Sequence, residues 1–130
     1  MWVPRRPSRG RGLTNPYVRG KLQLHEGSSD AEEIQRKVPQ ARVVKGWNTI
    51  FSSIANSSPD FDGQAVSVFL AGDDPEAKEI VASLARDMGY DPIDCGPLTG
   101  ARDLEVLLGL SGTIGHSFEY GSWALKVLRR

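Results

Sequence analysis

The stretch from Ala65 to Asp94 limits most strongly what this chain can fold into. Ala65-Val66-Ser67-Val68-Phe69-Leu70-Ala71 is nearly all apolar and shows no polar–apolar alternation. A strand of that kind is buried on both faces, the habit of a parallel sheet rather than of one wetted on one side. Gly72-Asp73-Asp74-Pro75 then supplies a turn, an acidic N-cap and a proline near the first helical position. Ala77, Ile80, Val81, Leu84, Ala85 and Met88 fall at helical spacing on one face, and Gly89 stands where a left-handed residue closes such a helix. Tyr90 to Asp94 reads as a further short strand. Strand, amphipathic helix and strand within about 30 residues predict a βαβ unit with parallel strands and a right-handed crossover.

The flanks are read in the same way. Leu13 to Tyr17 predicts a strand end or turn, because Pro16 pushes Asn15 toward extended backbone. Ser28, Ser29 and Asp30 precede Ala31–Val38, which carries acidic residues in its first turn and basic ones in its last, with Pro39 stopping the run. Ala41–Asn48 is β-branched and suits a strand, Ser52–Asn56 a brief helical turn, and Ser57–Gly63 a surface loop. Ala101–Leu110 predicts a helix with a broad apolar surface. Gly109, Gly112, Gly115 and Gly121 interrupt the pattern beyond it, and Ser122–Leu128 returns to helix or strand. Ile114, Phe118, Trp123, Leu125 and Val127 need a covering surface, in this chain or in a second subunit of a homo-oligomer.

Composition narrows the class. A chain of 130 residues with 39% apolar and 25% charged residues and zero formal net charge holds one hydrophobic core and is neither a disordered nor a membrane chain. Its apolar runs fall short of the ~20 residues that cross a bilayer. Cys95 is the only cysteine, so neither an internal disulfide nor a thiolate zinc site is available, and a cytoplasmic setting is expected. The charge is unevenly placed: Arg5, Arg6, Arg9, Arg11, Arg19 and Lys21 all precede the first acidic residue, Glu26. Residues 1–12, rich in Pro, Arg and Gly, are expected to form a disordered basic leader, with residues 13–128 as the folded domain. A nucleic-acid-binding arm is the other reading of that segment.

The motifs that carry chemistry are sparse. A dinucleotide site of the usual kind needs Gly-x-Gly-x-x-Gly after its first strand, and the chain has none; nor has it a Walker-type phosphate loop. Gly109, Gly112 and Gly115 come after a helix instead, where flexibility or close helix packing explains them. Asp73 and Asp74 resemble half of a phosphorelay acidic pocket, but no later acceptor aspartate and lysine complete it, and helix capping accounts for the pair. Cys95 and His116 lack a third partner, and His25 reads as a solvated loop residue. No catalytic acid–base set and no metal site is predicted.

Taken in order, Thr14-Asn15-Pro16, Ala41 through Ile50, Ala71-Gly72-Asp73-Asp74-Pro75-Glu76-Ala77-Lys78, Asp94-Cys95-Gly96-Pro97-Leu98, Ala101-Arg102 through Glu105, and Lys126-Val127-Leu128 resemble the deazaflavin-dependent NADP reductases, the coenzyme F420 family, and related dinucleotide-binding reductases. The resemblance implies an α/β, partial Rossmann-like fold with a mainly parallel sheet and flanking helices, lacking the first glycine-rich βαβ unit. It implies NADP and coenzyme F420 as cofactors, hydride transfer between them, and Thr14, Asn15, Pro16, Asn48, Thr49, Ile50 and Ser52 beside the rings. Hydride transfer asks for two flat rings held face to face in a dry cleft more than for acid–base side chains. Where the family has its phosphate-binding half, this chain has the basic leader, so a truncated oxidoreductase, its activity as an isolated chain in doubt, is expected. The alternative is a non-catalytic α/β interaction module that associates through an exposed sheet edge.

Overall fold

The computed structural model describes residues 17–18, 21–117 and 123–130. The basic leader, Thr14, Asn15, Pro16, Phe118, Gly121 and the side chain of His116 lie outside the described residues. In chain order the elements are β1 (Tyr17–Val18), β2 (Lys21–Leu22), α1 (Asp30–Lys37), β3 (Val44–Lys45), α2 (Ser52–Ala55), β4 (Asp60–Phe61), β5 (Gln64–Ala65), β6 (Ser67–Gly72), α3 (Pro75–Asp87), β7 (Asp91–Asp94), a 3₁₀ turn at Leu98–Gly100, and α4 (Ala101–Ser117).

The predicted βαβ unit is present. β6 and β7 pair in parallel, with Ser67 opposite Asp91 and Leu70 opposite Asp94. Asp74 caps α3 by accepting the Ala77 N–H at 2.8 Å, and Gly89 turns the chain out of the helix at φ +85°. Val66, Val68 and Leu70 of the β6 segment meet Ala77, Val81, Ala82 and Ala85 of α3 in the main core, which Val44, Ile54 and Tyr90 complete. A smaller core of Ala31, Leu98 and Ala101, with Val43 against it, joins α1 to the start of α4.

The sheet is mixed rather than mainly parallel. Its order is β3-β6-β7, and β3 runs antiparallel to β6, with Val44 opposite Gly72 and Lys45 opposite Ala71. The predicted eight-residue strand Ala41–Asn48 contributes only those two paired residues. The next residues explain this: Trp47 takes a left-handed φ of +53°, which turns the chain off the sheet. Farther along that side of β6, Leu125 fills the place, its carbonyl accepting the Ser67 N–H at 3.0 Å. The carboxyl-terminal residues 123–130 are thus irregular, and Trp123, Ala124 and Leu125 find their cover within the chain.

Two further expectations change. The loop Ser57–Gly63 contains a hairpin strand, β4 paired with β5 about Asp62-Gly63, both at positive φ (52° and 81°). That is the backbone a tight Asp-Gly hairpin turn demands. Helix α4 does not end at Leu110 but continues through Gly109, Gly112 and Gly115 to Ser117. Each helical glycine costs up to about 1 kcal/mol. Close packing offsets it: a Cβ on Gly115 would lie 3.2 Å from the indole nitrogen of Trp123.

Candidate functional site

After β3, the chain makes a tight turn that gathers the candidate residues. Gly46 has no room for a side chain, since a Cβ there would lie 2.8 Å from Leu70 Cδ2. Trp47 comes next, in the left-handed region, and its carbonyl accepts the Ile50 N–H at 3.2 Å. Asn48 donates from Nδ2 to the carbonyl of Leu104 on α4. Thr49 is buried, Ile50 packs against the main core, and Ser52 is exposed as the first residue of α2. Four of the predicted residues, Asn48, Thr49, Ile50 and Ser52, are therefore parts of one structured turn.

Aromatic rings frame it. Trp47 stands edge-on to Tyr90 with centroids 6.3 Å apart, and Phe51 lies tilted against Trp123 at 5.0 Å. The Trp47 Nε1 is buried without an acceptor among the described residues. Burial of an unpaired N–H is costly, and a left-handed bulky residue is strained. The family resemblance placed Asn48 and Thr49 beside the rings, but Trp47 was not among the site residues it implied. A tryptophan between a glycine and an asparagine just past a strand was the available signal.

Beneath the turn lies a residue that sequence reasoning missed. Glu105 is fully buried on α4. Its Oε1 accepts the Asp30 N–H at 2.9 Å and faces Lys45 Nζ at 3.4 Å, while Oε2 is buried with no partner among the described residues. The signal was present as a lone carboxylate in the apolar run Leu104-Glu105-Val106-Leu107-Leu108, matched by a lone lysine in the strand Val43-Val44-Lys45.

The opposite rim, where β6 and β7 end, is occupied with its own structure. Asp73 accepts the Leu98 N–H at 2.8 Å, which leaves no free acidic pocket of the phosphorelay kind. Asp94 pairs with Lys78 at 2.8 Å and accepts the Gly96 N–H; the Lys78 hydrogen bond, then that amide, hold its carboxyl below the usual range. Cys95 is half-buried, and burial pushes its thiol up, away from the thiolate a nucleophile requires. A groove of about 340 Å³ opens there between Gln35, Arg42, Val43 and Asp73. The Arg42 guanidinium is committed to Glu76 at 2.6 Å and to Asp74 at 3.6 Å. His25 bonds Asp30 at 2.7 Å on the surface. No group of three or more His, Cys, Asp or Glu side chains able to hold a metal occurs among the described residues. Among them, too, no helix is long and apolar enough to cross a membrane.

A small mixed sheet, flanking helices and a ring-framed turn past the first sheet strand define an α/β fold resembling part of a reductase domain. The particular likeness is to a crystal structure from Arthrobacter sp. FB24, described as a candidate F420-dependent NADP reductase. The TM-score is 0.75 at 34% identity, over 84% of this chain and 50% of that one. A hypothetical protein from Sinorhizobium meliloti matches at TM-score 0.53 and 32% identity, over 56% of this chain and 36% of its own. Among curated sequences, the metalloreductase STEAP3 of Rattus norvegicus is 36% identical over 95 residues, 73% of this chain. The metalloreductase STEAP2 of Homo sapiens is 30% identical over 79 residues, 61% of this chain. The chain spans 19% and 16% of the length of those two relatives. No family model matches. The resemblance read from the sequence is thus present in the structure as well.

Proposed function

We propose that this chain is the ring-binding part of an NADP-dependent oxidoreductase, passing hydride between NADP(H) and a deazaflavin, coenzyme F420. The observation that carries the proposal is the 0.75 TM-score likeness at 34% identity to the Arthrobacter chain, which extends over 84% of the residues. The described residues near the turn are of the kind one half of such a ligand would need. The Thr49 side chain and the Trp47–Phe51–Trp123 surroundings suit a flat heteroaromatic ring, with Asn48 tied back to Leu104 so that the turn keeps its shape. The pyrophosphate half has no glycine-rich helix terminus here to receive it. NADP(H), when bound, supplies the hydride. The chain's own residues would supply an apolar wall beside it, with Ile50 packed on the main core and Phe51 on Trp123. Thr14, Asn15 and Pro16 belong to the proposed site by resemblance.

The metalloreductase relatives favour a second reading of the same site, in which the acceptor is a metal ion rather than a deazaflavin. The interaction-module alternative needs a free sheet edge. Pro92 blunts the outer edge of β7, since Asp91 and Cys95 turn their N–H groups to β6 and position 92 faces outward without one.

Titration of the full chain separates these readings. NADPH should enhance or quench tryptophan emission with saturation in the wild type, and Thr49→Val should weaken that binding about tenfold, the loss of one hydrogen bond to a ligand. Oxidation of NADPH on adding F420, and not on adding a ferric chelate, selects the deazaflavin; the reverse selects the metal. Absence of any NADPH signal at millimolar concentration sinks both.

A further inference from the structure

Glu105 is an expensive residue to bury for the contacts it makes. Capping the first amide of α1 does not require a charge, as the neighbouring Ser29 hydroxyl shows by accepting the Glu32 N–H at 3.2 Å in the same helix turn. A sealed carboxylate with one oxygen unpartnered among the described residues is unfavourable unless it holds a charge nearby. What a neutral side chain could not supply is the hold on Lys45, whose Nζ lies 3.4 Å from Oε1 in a largely buried position.

The place of that hold matters. Leu104, the residue before Glu105 on α4, takes the Asn48 amide on its carbonyl. Adjacent α4 residues thus grip the chain at positions 45 and 48, on either side of Gly46 and Trp47. Between the grips, Gly46 passes so near Leu70 that a Cβ there would lie 2.8 Å from its Cδ2, and Trp47 is held at φ +53°. Backbone strain of this kind persists only where the surroundings over-determine it.

We propose that Glu105 is the positioning residue of the candidate site: through Lys45, and in concert with the Leu104 carbonyl, it presets the left-handed turn to which Asn48 and Thr49 belong. Glu105 touches no ligand itself. That a ring binds at this turn rests on the function proposed above; that Glu105 shapes the turn does not.

Amide hydrogen exchange of the full chain, beside NADPH titration, tests it. Glu105→Gln keeps an oxygen for the Asp30 N–H and removes the charge; Lys45→Met removes the partner. Each should speed exchange at residues 46–50 about tenfold, the double variant should exceed neither, and Lys45→Arg should restore the slow rate. Val68 and Leu70 on β6 should stay within about twofold of wild type. NADPH affinity should fall about tenfold in the two single variants. Unchanged exchange at 46–50 in Lys45→Met overturns the proposal, as does equal loss of protection on β6, which would make the pair general support for the fold. If the wild type binds neither NADPH nor F420, the oxidoreductase proposal fails separately, and the exchange rates still decide the role of Glu105.

Discussion

A methyl group added at Gly100 would sit 2.5 Å from the Cys95 carbonyl oxygen and 3.5 Å from the Ala71 side chain. The 3₁₀ turn into α4 can approach β7 only because nothing projects there. Gly96, four residues earlier, presents the opposite case: φ is +84°, but a Cβ would meet nothing within 4 Å. Gly100→Ala should therefore cost about 2–3 kcal/mol, since backbone cannot yield as a side-chain tip does. Gly96→Ala should cost about 1–2 kcal/mol, the left-handed penalty alone. Urea midpoints of the two variants check the order, and a larger loss at Gly96 would refute it. At this scale the sequence was only partly legible. Asp74 as a cap and the strand-end character of Asn48 and Thr49 emerge from local chemistry, which neighbours in sequence express. Trp47 and Glu105 each left a local mark, an aromatic after a strand and a lone carboxylate in an apolar run, but their roles come from contacts with Tyr90, Lys45 and the Asp30 amide, which no local pattern encodes.

Elements were legible where several local signals agreed. Cap, proline, apolar periodicity and closing glycine all marked α3, and it forms from Pro75 to Asp87. β6 announced itself by unbroken apolarity, and the helix after it implied a parallel partner. Where one signal stood against another, the element was misjudged. Three glycines argued that α4 stops at Leu110, yet buried Leu108 and Ser111 and the Trp123 ring against Gly115 carry it on to Ser117. The direction of β3 was hidden for a different reason: two residues of pairing are set by a turn, not by strand composition. The α3 cap gives a direct test of how much one local signal contributes. Asp74→Ala removes the acceptor of the Ala77 N–H and one partner of Arg42. It should lower stability by about 1 kcal/mol. Asp74→Asn keeps the cap and should recover most of it in the same denaturation experiment. If Asn fares no better than Ala, the exposed ion pair rather than the cap is what counted.

At the scale of the whole molecule, ion pairs tie together elements that are far apart in sequence. Arg102 on α4 reaches Glu32 on α1 at 2.6 Å, and Lys78 on α3 reaches Asp94 at the end of β7 at 2.8 Å. Lys126 of the terminal segment reaches Asp91 at 2.7 Å. The Arg102 hydrogen bond holds the Glu32 carboxyl below its ordinary range, opposed by burial and helped by Ser29; the Lys78 bond does the same for Asp94. A carboxylate whose pKa is depressed on folding contributes stability above its unfolded pKa and loses it as pH falls through the folded one. Stability should therefore begin to fall below about pH 4, the ordinary carboxylate range. Glu32 should carry more of that fall than Asp94, because Asp94 is largely exposed and solvent screens its pair. On the alkaline side the sign reverses. Burial raises both Cys95 and Tyr90, so their contribution is present below the unfolded pKa and is lost as pH climbs above about 9. Urea midpoints across the pH range should form a plateau with a drop at each end. Glu32→Gln should lower the plateau and flatten the acid limb, and Cys95→Ser should delay the alkaline one. An acid limb equally steep in Glu32→Gln would mean that the Arg102 bridge contributes nothing to holding α1 on α4, leaving that to the small Ala31–Leu98–Ala101 core and the Glu105 bond to the Asp30 amide.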